Sequence, residues 1–144
     1  MLIDLGLGTV VISATVLIHT IGLIALARLI GAVNRWFSLH RHGLGRTMSM
    51  IATVLGLFVV HGFEIWLWAF VYVGVGAFDA VDSALYFSTT TFATVGYGDV
   101  VLPADWRILG SLEGVNGFML IGWSTAYLVA ASTRYGPFRI GEHF

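Results

Sequence analysis

The chain has 144 residues, the length of one small domain, with a formal net charge of −1, no cysteine and no lysine, its seven basic residues all being arginine. Disulfides, cysteine metal sites and thiol chemistry are thereby excluded, and the near-neutral balance offers no basic field for nucleic acid. With 58% hydrophobic residues, a mean hydropathy of +0.89 and 10% charged residues, where a soluble domain carries about 25%, the composition is that of a membrane protein.

The chain opens Met1-Leu2-Ile3-Asp4, without the basic start of a secretory signal, and its apolar stretch is too long for one, so a retained segment is expected. Residues 9–33 carry only His19 and Arg28 as ionisable groups. They exceed the roughly 20 helical residues that cross about 30 Å of hydrocarbon, and Arg28 can snorkel toward the headgroups. An interfacial or loosely docked helix is the alternative. His19, alone on an apolar helix, reads as a packing residue. Residues 34–47 gather Arg35, Arg41, Arg46, His40 and His42 beside Trp36 and Phe37, the composition of a cytoplasmic connection. His40 and His42, two apart, would face different sides of a helix, and no acid is near, so a solvated loop is expected rather than a metal site.

Residues 48–75 form a second span, whose Trp66, Trp68, Phe70 and Tyr72 suit an interfacial belt at the outer side. Asp79 and Asp82 follow in an outer loop. Residues 82–93 are too short to cross and suit a re-entrant helix, capped by Asp82 or Ser83. The partial negative charge of its C-terminus would favour a cation there.

That end leads into Thr94-Val95-Gly96-Tyr97-Gly98-Asp99. A dehydrated cation needs oxygen ligands, and a row of backbone carbonyls can supply them. Gly96 and Gly98 can take left-handed angles, so alternation with Val95 and Tyr97 turns successive carbonyls inward; the Thr94 hydroxyl adds an oxygen at the deep end. Gly-Tyr-Gly-Asp also reads as a surface turn. Against that, irregular backbone at membrane depth persists only where it is buried in protein or lines a wet cavity, which makes it a pore. One chain offers one strand and cannot enclose an ion alone, so a closed cyclic oligomer is required.

Residues 105–135 form a third span with a small-residue stripe, Gly110, Gly114, Gly117, Gly122 and Ala126, that permits close helix approach. Arg28, Arg35, Arg41, Arg46, Arg134 and Arg139 fall on one side of this arrangement, and Asp4, Asp79, Asp82, Asp99, Asp105 and Arg107 on the other. The arginine bias places the N-terminus outside, the C-terminus in the cytoplasm and the 94–99 row open outward. His61, Glu64 and Glu113 lie inside spans, where ionisable groups are paired or functional. Val54, His61, Glu64, Trp68 and Tyr72 share one helical face, and Glu113 shares the small-residue face four positions before Gly117.

The chain resembles the potassium channel pore-domain family over about residues 48–135, most specifically in Thr94-Val95-Gly96-Tyr97-Gly98-Asp99, which matches that family's selectivity-filter signature completely. The resemblance implies an all-α membrane protein: outer helix, re-entrant pore helix, filter and inner helix, four copies making one pore, with residues 1–47 an extra helix and basic loop. It implies that the carbonyls of Thr94, Val95, Gly96 and Tyr97 and the Thr94 hydroxyl bind K⁺, with Gly98 and Asp99 as filter support. Leu85-Tyr86-Phe87-Ser88 looks like the aromatic start of the pore helix, Gly117 like the gating hinge and Thr125 like a cavity-lining residue. The positions that brace the filter aspartate in relatives are Phe87 and Thr90 here, and Phe87 donates no hydrogen bond. The brace of Asp99 is therefore expected to be absent or rebuilt. One network joining Glu113, His61 or Glu64 and the threonine hydroxyls of the pore helix is the candidate replacement; separate solvation of each group is the alternative.

The resulting expectation is a homotetrameric potassium channel in the lipid bilayer of the inner membrane, conducting K⁺ passively. The acids and histidines form no recognisable catalytic set. A weakly selective cation channel, or a regulatory or assembly subunit of a mixed channel, is the other reading. Neither a voltage sensor nor a ligand-binding domain is recognisable.

Overall fold

The computed structural model describes residues 2–37 and 43–135. Arg41, His40, His42 and Arg139 lie outside the described residues. All regular structure described is helical: α1 (Leu2–Phe37), α2 (Gly43–Gly74), α3 (Val81–Phe92) and, after a short 3-10 turn at Ala104–Trp106, α4 (Arg107–Tyr135). Three stretches are long and apolar enough to cross a membrane, Leu2–Trp36, Leu44–Gly74 and Ala104–Arg134.

The long helices extend beyond the apolar runs, and the causes are local. At the base of α1 and α2, Ser49 Oγ donates to Asn34 Oδ1 at 2.6 Å, so a polar residue is absorbed into α1 instead of ending it. Thus α1 runs to Phe37 rather than stopping near 33, and α2 starts at Gly43 rather than 48. The end of α2 is a Schellman motif, with Ala77 N–H donating to the Tyr72 carbonyl and Gly76 N–H to that of Val73. Gly76 takes the left-handed angle this requires (φ +70°). The expected cap of α3 is different: Ala80 precedes it in extended backbone with no side-chain cap. Asp82 instead accepts the Ser83 N–H at 2.8 Å from inside the first turn.

α3 is wedged between α2 and α4, and α1 packs along the outside of both. The core about α3 is Trp68, Tyr72, Phe87, Phe92, Leu109 and Leu120, joined by Val11 from α1. Leu23, Leu26, Ile30 and Leu57 form a second cluster between α1 and α2. A Cβ at Gly22 would lie 2.7 Å from Val60 Cγ2, so the absence of one lets these two helices touch. Asn116 Nδ2 on α4 donates to Thr15 Oγ1 on α1 at 2.9 Å, which makes α1 part of the fold rather than a loose attachment.

Candidate functional site

The stretch after α3 is held by the helix that precedes it. Thr94 N–H donates to the Thr91 carbonyl at 2.9 Å, and the N–H groups of Val95 and Gly96 donate to that of Thr90 at 2.8 and 3.0 Å. The last turn of α3, whose carbonyls have no partner within the helix, therefore takes up three consecutive donors of the stretch. Positive φ recurs at every second residue: Thr94 at 58°, Gly96 at 53° and Gly98 at 79°. At Thr94 this is unusual for a residue with a Cβ, and only a surrounding structure that dictates it sustains such strain. Val95 and Tyr97 are 51% and 72% exposed, so much of each faces away from its own chain.

The brace of Asp99 is rebuilt, the second of the two outcomes expected from Phe87 and Thr90, but by a residue other than the network suggested for it. Tyr86 Oη, one position earlier on α3, donates to Asp99 Oδ2 at 2.8 Å. Asp99 Oδ1 accepts the Val100 N–H at 3.1 Å. The hydrogen bond to Asp99 raises the Tyr86 phenol above its ordinary value, with burial and the carboxylate charge adding in the same direction. Phe87 serves as packing instead, its ring 5.4 Å from that of Tyr72 and 5.5 Å from that of Phe78.

The single network expected behind the row resolves into two. Glu113 is fully buried and lies between α2 and α3, with Tyr72 Oη donating to Oε2 at 2.6 Å and Ser88 Oγ 2.5 Å from Oε1. Ser88 Oγ is also 3.0 Å from the Ile65 carbonyl. His61 and Glu64 belong to a separate cluster: Glu64 Oε2 lies 2.8 Å from His61 Nδ1, and Oε1 lies 2.9 Å from Nδ1 of His19 on α1. His61 Nε2 continues to Ser124 Oγ on α4 at 2.9 Å. His19 is therefore no isolated packing residue. The threonine hydroxyls take no part: Thr89 and Thr90 donate to the carbonyls of Leu85 and Phe87 in their own helix. Ser88, Tyr72 and Ser124, the partners sequence reasoning missed, are hydroxyls of a kind common in any helix, and only packing singles them out.

Gly117 sits where α4 crosses the end of α3, and a Cβ there would overlap the Phe92 carbonyl. The helix is unbroken through this point. Thr125, exposed on α4, donates to the Ile121 carbonyl at 2.9 Å.

A family described as "Ion channel" matches residues 58–134, just over half of the chain. The chain belongs to the potassium channel pore-domain family. No curated protein and no solved structure matches it. The matched pore-domain region takes in most of α2, all of α3, the row at 94–99 and α4 almost to its end, and leaves α1 outside. With three helices able to span, this pore-domain chain is a multi-pass membrane protein of an ion channel family.

Proposed function

We propose that four copies of this chain surround one axis and conduct K⁺ passively and selectively through a filter made of residues 94–99. The observation that carries this reading is the backbone of that row. Its first three N–H groups are directed back to α3, and φ alternates in sign from 94 to 98. Donors bound on one side leave the carbonyls of Thr94, Val95, Gly96 and Tyr97, with the Thr94 hydroxyl, to serve as ligands on the other. Those oxygens replace the hydration shell of a K⁺ ion. In this reading α3 is the re-entrant pore helix, and the Tyr86–Asp99 bond holds the outer end of the filter.

Assembly follows from exposure. Val95, Tyr97 and, on α4, Val115, Phe118 and Met119 are all at least half exposed in one chain, an apolar surface that lipid or further copies must cover. An apolar groove of about 470 Å³ beside the row, bordered by Phe87, Thr91, Thr94 and Gly110, is a surface for a neighbouring copy. The clustering of Arg28, Arg35, Arg46 and Arg134 toward one end of the helices supports an external N-terminus and a cytoplasmic C-terminus in the inner membrane.

The purified chain, cross-linked in detergent and then reconstituted, tests the proposal. Tetramers and a cation flux carried by K⁺ and Rb⁺ but not Na⁺ are expected. A silent monomer would favour the subunit of a mixed channel, and equal Na⁺ flux a weakly selective pore.

A further inference from the structure

The cluster of His19, His61 and Glu64 has a composition and placement that neither the filter nor the family match explains. Glu64 and His19 are fully buried and the His61 side chain is 16% exposed, near the middle of α1 and α2. One ligating atom from each of the three lies within 4.8 Å of the others. Two imidazoles and one carboxylate are a recurrent ligand set for zinc, leaving a fourth position for water or another group. We propose that these three residues bind one divalent transition-metal ion of the Zn²⁺ class per chain.

Hydrogen-bond and charge bookkeeping supports the site. Each Glu64 oxygen faces an imidazole Nδ1, at 2.9 Å for His19 and 2.8 Å for His61. If both rings carry their proton on Nδ1 and remain neutral, the buried carboxylate charge has nothing to balance it, which is costly in a low-dielectric interior. His19 Nε2 has no hydrogen-bond partner among the described residues, whichever ring nitrogen carries the proton. A cation held among the three groups balances the carboxylate and takes a lone pair from each ring, so that the ring protons move to Nε2. At His61 that proton meets the Ser124 hydroxyl, 2.9 Å away, the outer-shell bond that orients a metal-bound imidazole. Ligands about 2.0–2.1 Å from a tetrahedral ion lie about 3.3 Å apart, so the 2.8 and 2.9 Å contacts to Glu64 would open by a few tenths of an ångström while the set as a whole, whose ligating atoms lie within 4.8 Å of one another, closes on the ion. A mostly apolar groove of about 170 Å³ bordered by Val54, Phe58, His61 and Ser124 reaches one side of the cluster.

The position gives the ion a consequence for the pore. It would fasten α1 to α2 directly and to α4 through Ser124. The His61 ring also lies 5.7 Å from that of Phe92, two residues before Thr94. Metal occupancy is thereby linked to the inner end of the row, although the site itself does not depend on which ion the pore conducts.

The test uses the full chain, tag-free, with His40, His42 and His143 replaced by alanine so that histidines elsewhere do not bind. After chelator treatment, Co²⁺ titration in detergent is expected to give visible absorption that saturates at one ion per chain and disappears on adding Zn²⁺. Glu64→Gln is expected to abolish this signal, and Ser124→Ala, which leaves all three ligands in place, to weaken binding by about tenfold. Elution volume and thermal melting of each variant establish that it is folded. A folded background chain that takes up no stoichiometric metal overturns the proposal, as does binding that Glu64→Gln leaves unchanged.

Discussion

Ser88 carries one hydroxyl hydrogen but has two acceptors in reach, the Ile65 carbonyl at 3.0 Å and Glu113 Oε1 at 2.5 Å. Tyr72 spends its own hydrogen on Glu113 Oε2. The Ser88 hydrogen is either shared between its two acceptors or, with a donor at position 113 giving to Ser88, passed wholly to Ile65. Glutamine reproduces this arrangement, its amide donating to Ser88 and its carbonyl accepting from Tyr72. Glu113→Gln should therefore melt close to the parent. Glu113→Ala, which strands the buried Tyr72 hydroxyl and leaves Ser88 only the Ile65 carbonyl, should cost about 1–3 kcal/mol for the group left unpaired; thermal denaturation in one detergent compares them. At the outer end of the 94–99 row, Tyr86→Phe removes the donor to Asp99. The phenol is raised above its ordinary value of about 10, so its protonated form is favoured by the fold. The bond's contribution is complete below pH of about 10 and lost as pH rises through the raised value. Ultraviolet titration of parent minus Tyr86→Phe should show one tyrosine ionising later than a free phenol; ionisation at the ordinary value would contradict the assignment. Gly96, at φ +53°, should not accept alanine without a penalty of about 1–2 kcal/mol, read as weakened K⁺ selectivity in flux measurements.

At the scale of elements, the number and order of helices could be read from the apolar runs, because crossing a bilayer demands length and hydrophobicity that few other structures need. Helix ends could not, since hydropathy does not reveal that Ser49 donates to Asn34. The left-handed angles at Gly96 and Gly98 were readable for the same reason glycine is useful there, whereas Thr94 shares the angle without any signal in its residue type. The buried acids were visible as costs that something must offset. Their partners were not, because His19 reaches Glu64 across 45 positions and Tyr72 reaches Glu113 across 41. Such pairs arise from how α1, α2 and α4 rotate against one another. Gly117 is the position where that packing is tightest: Gly117→Val would drive side-chain atoms into the Phe92 carbonyl. Overpacking of this kind costs about 1–3 kcal/mol, so a lower melting temperature is expected, together with altered conduction as the start of the 94–99 row shifts. A variant as stable and as selective as the parent would remove Gly117 from the contact that positions the row.

For the whole molecule, the proposed reading has one chain supply a pore helix, one strand of carbonyls and a lining helix, but no enclosure. α1 braces α2 and α4 from outside, through Asn116 and Thr15 at one level and Glu64 and His19 at another. The pore region is thus tied to a helix that the family match does not include. In the proposed channel the conduction pathway, by contrast, depends on surfaces that face other copies, and its selectivity on oxygens that act together only around a closed ring. The most direct measurement is the reversal potential of the purified, reconstituted chain under opposed K⁺ and Na⁺ gradients. The account predicts a potential that follows the K⁺ gradient and is insensitive to Na⁺; a potential near zero, or the absence of current from tetrameric protein, would contradict it.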